Sequence, residues 1–210
     1  MLNDQYLGSV RDTKFLGLIL DDQLKFKKHI EYISGKVSKS IGLLFRIRAE
    51  VPLYCLKTLY FSLIHPYFLY CLPIFGATYA THLDSIKLLQ KRAVRILNNA
   101  NFFDHTNPLF FKSKILKLDD LYKHSIACYI YRNPGVLDRF SRTHQYDTRD
   151  RHSLLPPFVR LRTTQQSFYY NATMIWNEIP IDIKQSLSLG CFKNRYKEFL
   201  IAKYEIIQNL

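Results

Sequence analysis

Acidic residues are scarce: 17 Asp and Glu face 30 Lys and Arg in 210 residues, a formal charge of +13. Such a surface attracts polyanions, nucleic acid first and anionic membrane second. Glycine is also rare, at seven residues, whereas 48% of the chain is apolar and 15% aromatic. This disfavours disorder and loop-rich scaffolds and points to a packed, mainly α body, one large domain or two small ones in close contact. The four cysteines, Cys55, Cys71, Cys128 and Cys191, lie far apart without CxxC spacing or a local histidine partner, so no zinc site is expected. They read as buried free thiols of a reducing compartment. No basic segment followed by an apolar core opens the sequence, so no secretory signal is expected, and the expected location is intracellular, nuclear or cytoplasmic. No GxSxG elbow frames a serine, which leaves a nucleophilic hydrolase unsupported.

One segment lacks charge altogether. Thr58 to Leu83 holds no Asp, Glu, Lys or Arg over a length sufficient to span a bilayer. His65, Pro66, Pro73, Gly76 and several tyrosines would sit badly in hydrocarbon, and the prolines would break a single span. A buried helix ending near Tyr67 and a following turn fit better, so no stable membrane partner is expected.

What is present is periodic. "KFLGLIL" reads as a buried strand, and Asp21 and Asp22 follow it. A carboxylate pair after a strand can hold Mg²⁺, but it also suits a turn and a helix cap. Phe26, Ile30, Ile33, Val37, Ile41 and Leu44 recur at spacings of three and four, one face of an amphipathic helix. Lys25, Lys27, Lys28, Lys36, Lys39, Arg46 and Arg48 make its outer face basic. Pro52 opens the next helix, carried by Leu53, Leu56, Leu59, Leu63 and Ile64.

A third helix is expected from Thr81 to about Leu97, with Thr81 as cap and Asp84 in the capping-box position. Leu83, Ile86, Leu89, Ala93 and Ile96 form its buried stripe, while Lys87, Lys91 and Arg95 stand four apart on another face. Four residues advance about 6 Å, near the spacing of phosphates along one strand, although a solvated helix face looks the same. "NNANFFDHTNP" reads as a loop, and Ile115 to Tyr131 resumes helical spacing. Asn133 to Thr164 carries prolines and six arginines without an apolar period, so an irregular basic connector is expected. Arginine mixed with Tyr146, Phe158, Phe168, Tyr169 and Tyr170 suits single-stranded nucleic acid, or the rings simply anchor the connector on the helices. "CFKNRYKEFLIAKYEII" closes the chain as a last helix.

The order of these pieces resembles the region downstream of the catalytic motifs in reverse transcriptases of non-LTR retrotransposons, the jockey-like group especially. The matching stretches are "KFLGLILDDQLKFKKHI", the run from Leu56 to Leu97, "HTNPLF", "YDTRDR" and "MIWNEIPIDIKQSLSLGCFKNRYKEFL". The resemblance implies that Phe15, Leu16 and Gly17 form a primer-grip-like hairpin at the end of the palm, over residues 1–22. A helical thumb would follow over 23–100, a helical C-terminal region over 101–132, the connector over 133–164 and a segment ending in a helix over 165–210.

It also implies that Asp21 marks a turn, since the family's metal-binding carboxylates lie upstream. Asp119 and Asp120 open a helix, where the dipole favours acids. On this reading the chain lacks fingers, most of the palm and any catalytic residue, binds no metal, and is inactive as a polymerase by itself. Mg²⁺ is expected only in the full-length enzyme, and the expected partners are RNA template, DNA primer and the missing palm and fingers.

Lys28, Lys36, Lys39, Lys87, Lys91 and Arg95 are assigned to nucleic acid from charge and periodicity, with Arg149 and Arg151 of the "YDTRDR" motif. The segment between "YIYRN" and "YDTR" looks shortened relative to the family, and neither a zinc knuckle nor an endonuclease signature is visible. The other reading is a host-adopted, non-catalytic nucleic-acid-binding module, with a membrane-associated protein behind it.

Overall fold

A computed structural model describes residues 10–140 and 154–206. It opens with a hairpin in which β1 (Asp12–Phe15) pairs antiparallel with β2 (Leu18–Asp21), Phe15 opposite Leu18 and Asp12 opposite Asp21. Leu16 and Gly17 join the strands with φ of 47° and 87°. Two successive positive φ values are the signature of a type I′ turn, whose twist matches that of the strands.

Every other element among the described residues is helical. α1 (Lys27–Ile47) is followed by α2 (Leu53–Leu63), α3 (His65–Leu69), α4 (Leu72–Phe75) and α5 (Ala80–Leu97). Then come α6 (Thr106–Ser113), α7 (Leu118–Arg132), a 3₁₀ turn over Pro134–Phe140, α8 (Arg162–Gln165), α9 (Phe168–Glu178), α10 (Ile181–Lys184) and α11 (Leu189–Ile206). α1 packs along α5, α7 along α9 and α11, and α11 also along α6. A single cluster of buried apolar residues runs through these contacts from Leu18 to Tyr204.

The entry to α1 shows why its helix begins where it does. The Asp21 carboxylate accepts the backbone N–H groups of Gln23 at 3.2 Å, Lys25 at 2.9 Å and Phe26 at 2.6 Å. One acid thus closes the turn between strand and helix. Ile30, Ile33, Val37, Ile41 and Leu44 are then all buried, as the spacing predicts, with Phe26 tucked in before the first turn.

The uncharged segment after Thr58 folds as α2, α3, α4 and the start of α5, stepped by the prolines at the N-termini of α3 and α4. Among the described residues no helix is long and apolar enough to cross a membrane. A Cβ on Gly76 would lie 2.5 Å from the Tyr122 ring, so glycine lets α4 approach α7.

Several local expectations are corrected. α5 is capped by Tyr79, without a side-chain cap, so neither Thr81 nor Asp84 serves there. The preceding Thr78 hydroxyl instead donates to the Lys25 carbonyl at 2.8 Å. In α2 the buried positions are Leu56 and Tyr60, while Leu53 is 55% exposed. Gln90 occupies the centre of the α5 stripe, and Leu89 is only partly buried at its edge.

α6 begins at Thr106, inside the expected loop, with Pro108 tolerated in its first turn, where no intrahelical N–H bond is lost. α7 starts at Leu118 rather than Ile115, because Ile115 and Leu116 are buried as linker. The basic connector holds the 3₁₀ turn and α8, and Tyr146 lies outside the described residues. Phe168 meets Tyr129 edge-on at 5.5 Å, an anchor on α7, whereas Phe158 is 94% exposed. The cysteines are free, but Cys191 is exposed and the other three are only half-buried.

Three histidines are folded into this body with their pKa values lowered. Burial alone does so for His29, burial and then the Lys197 charge for His65, and burial and then Lys197 and Lys193 for His124, against a bond to the Lys193 carbonyl. In the unfolded chain these rings take up protons near the ordinary value of 6.5, before the folded ones do. The unfolded state therefore binds more protons in that window, and stability is complete above it and lost as pH falls. We expect the urea midpoint to drop between about pH 7.5 and 5.5. A flat profile over that range would show that the rings charge inside the fold without cost.

Candidate nucleic-acid interface

The type I′ turn exposes two large apolar side chains, with Phe15 62% and Leu16 77% accessible, while Leu18 carries the packing of the hairpin. Behind the turn, the Tyr70 hydroxyl donates to the Leu16 carbonyl, and its ring lies 3.5 Å from where a Cβ on Gly17 would be. Glycine is required at Gly17 by its φ, and Tyr70 braces the tip against the body.

α1 extends this surface. Lys28, Tyr32, Lys36 and Lys39 share one face at spacings of four, four and three. Lys28 reaches across to Asp12 of β1 at 2.6 Å. Lys14 of β1 and Lys36 of α1 each hold their ammonium 5.6 Å from the Tyr32 ring. The structure thus joins the Phe15, Leu16 and Gly17 turn to Lys28 and Lys36 through two residues the sequence reading passed over, Lys14 and Tyr32. Tyr32 was detectable: it falls in step with the lysines of its own helix. Among the described residues neither Lys36 nor Lys39 is paired with a carboxylate.

The row on α5 is less available. Lys87 pairs with Asp119 at 2.8 Å, and Arg95 donates from Nε to the Asp104 carbonyl at 3.1 Å with Phe102 beneath it at 5.8 Å. Lys91 stays exposed. Arg149 and Arg151 lie outside the described residues.

Neither carboxylate pair fits a catalytic metal, which needs free, ionised oxygens. At Asp21 burial pushes the carboxyl up, but the three backbone N–H bonds outweigh it and hold the pKa below the ordinary value, with both oxygens occupied. Asp119 is engaged with Lys87. Asp120 accepts from the Tyr204 hydroxyl at 2.5 Å, and burial raises its pKa against that bond. Among the described residues no three His, Cys, Asp or Glu side chains converge as ligands.

The chain is 28% identical over 145 residues to the RNA-directed DNA polymerase from mobile element jockey of Drosophila melanogaster, a match covering 66% of this chain and 16% of that protein. The jockey polymerase of Drosophila funebris is 26% identical over 122 residues, 57% of this chain and 13% of the relative. The probable RNA-directed DNA polymerase from transposon X-element of Drosophila melanogaster is 29% identical over 118 residues, 54% and 13%. No family model and no solved structure matches. The chain therefore spans only 13–16% of the length of these relatives. These relatives are RNA-directed DNA polymerases of mobile elements, jockey among them, in agreement with the resemblance that the order of motifs carries.

Proposed function

We propose that this chain is the thumb-side part of a mobile-element RNA-directed DNA polymerase, lying after the catalytic carboxylates, and that it holds the template–primer duplex without performing phosphoryl transfer itself. The observation that carries this reading is the continuous surface formed by the exposed Phe15–Leu16–Gly17 turn and the unpaired lysines of α1. A rigid two-residue turn held by Tyr70 suits the placing of a primer end. A basic helix face suits phosphates, which fix register without reading sequence.

Lys28, Lys36 and Lys39 are the proposed phosphate contacts on α1, with Lys91 the accessible member of the α5 row. Lys28, Lys87 and Arg95 would have to exchange their present partners to take part. Arg149 and Arg151 remain candidates on the strength of the motif alone. No metal-dependent step is assigned to this chain, because Asp21, Asp119 and Asp120 are already engaged by backbone N–H groups, Lys87 and Tyr204.

The test is the anisotropy of a labelled RNA–DNA hybrid titrated with the 210-residue chain at several salt concentrations. Affinity indifferent to sequence and falling steeply with salt is expected. Absence of binding at about 50 mM salt, where such contacts are strong, would overturn the proposal.

A further inference from the structure

A second surface, built from other elements, combines cations with rings. α2 and the start of α3 turn Tyr54, Lys57, Phe61 and His65 to one side, at spacings of three, four and four. Phe61 and His65 meet edge-on at 5.1 Å. Tyr54, Lys57 and Phe61 line a shallow groove that runs into a deeper cavity of about 300 Å³ between α2, α3, α7 and α11. Leu69, Leu116, Leu121 and Cys128 line its apolar part. Lys114, Lys193 and Lys197 stand around it, and among the described residues none of them, nor Lys57, is paired with a carboxylate.

These four cations come from three distant parts of the chain, and Lys197 lies within the field of two of them. Burial, then the charges of Lys57 and Lys114, hold Lys197 below the usual lysine range. Clustering like charges costs folding energy, and an anion in the groove would relieve it. At about 300 Å³ the cavity lies at the small end for ligand sites and has room for one flat ring system. Its rim offers a lysine between two aromatic residues, the combination that takes bases by stacking and phosphates by charge.

We infer that the groove along α2 and α11 binds single-stranded nucleic acid, its phosphates on Lys57, Lys114, Lys193 and Lys197 and one unpaired base entering the cavity beside Phe61 and His65. The inference rests on the nucleic-acid reading above and adds to it a site for a strand that is not in the duplex. An unpaired strand is required because bases stacked and paired in a duplex are not free to enter a cavity.

The experiment compares a labelled oligo-dT strand of about ten nucleotides, within the range one such groove covers, with an RNA–DNA hybrid. The 210-residue chain, a Lys57→Ala/Lys197→Ala variant and Phe61→Ala are titrated with both, after thermal melts establish that each is folded. The lysine variant should bind the strand about tenfold more weakly and lower its salt slope by about 1.4, with hybrid affinity little changed. Phe61→Ala should lose roughly tenfold in strand affinity at an unaltered slope. If folded variants bind the strand as the parent does, the groove is not its site. If the parent binds hybrid but no strand, this inference falls alone, whereas binding of neither overturns the general reading. Displacement of bound strand by a poly-glutamate peptide at lower concentration than by unlabelled oligo-dT would assign the groove to an acidic protein and also overturn the inference.

Discussion

Gln90→Met is expected to cost about 2–6 kcal/mol of stability although it preserves volume and exposes nothing. Gln90 is 2% exposed and lies where the apolar stripe of α5 faces the linker into α7. Its Nε2 donates to the Leu116 carbonyl at 2.9 Å, and its Oε1 accepts the Leu118 N–H at 2.9 Å. Leu118 opens α7, so that N–H has no partner inside its own helix. The glutamine therefore caps α7 from another helix. From the opposite side the Tyr204 hydroxyl of α11 accepts the Lys117 N–H at 3.0 Å.

Methionine would leave a buried donor and a buried acceptor unsatisfied, at about 1–3 kcal/mol each. Tyr60, whose hydroxyl sits 3.4 Å from Gln90 Nε2 and whose pKa burial pushes up to about 12, gives no substitute bond to the linker. Urea denaturation reads the loss, with Lys91→Ala next door expected to stay within about 0.5 kcal/mol. Equal stability of the two variants would mean that water takes over both bonds.

Lys36→Ala/Lys39→Ala is expected to weaken hybrid binding roughly 10- to 100-fold near 0.1 M salt and to lower the slope of log affinity against log salt by about 1.8. Each lysine that meets a phosphate releases about 0.9 of a counterion, and both ammonium groups are exposed and unpaired. Alanine favours the helix, so the fold should be kept. Lys28→Ala is a poorer probe because it also frees Asp12. Lys87→Ala should matter less for the same reason, since Asp119 already neutralises that ammonium. A folded double variant with unchanged affinity and slope would remove α1 from the interface.

α1 was legible because its signal is local: the stripe from Phe26 to Leu44 is a property of one helix. The hairpin was implied by the resemblance alone, since hydropathy made "KFLGLIL" one buried strand, whereas the chain turns at Leu16 and Gly17 and leaves β1 exposed, Leu18 alone being buried. The role of Asp21 was half legible: an acid after a strand suits a metal as well as a turn, and only the backbone N–H groups around it decide. The start of α5 was misread because Thr81 has the right chemistry for a cap, while the chain had already turned into helix at Ala80. Leu89 was chosen over Gln90 because hydropathy predicts burial of apolar side chains, whereas a glutamine with both ends bonded is equally at home inside.

Alone, the sequence determined a mainly helical body, the buried faces of its long helices, the strong positive charge and, through the order of its motifs, its likeness to mobile-element polymerases. Tertiary structure decided which charges are free. Lys87 and Lys36 look alike in the sequence, yet Asp119 lies beside one and a tyrosine ring beside the other. It also brought Lys57, Lys114 and Lys197 within reach of one another across more than a hundred residues of chain. Periodicity records what a residue does within its own element. Pairing, desolvation and cavities arise between elements distant in sequence, where the packing of helices sets the neighbours.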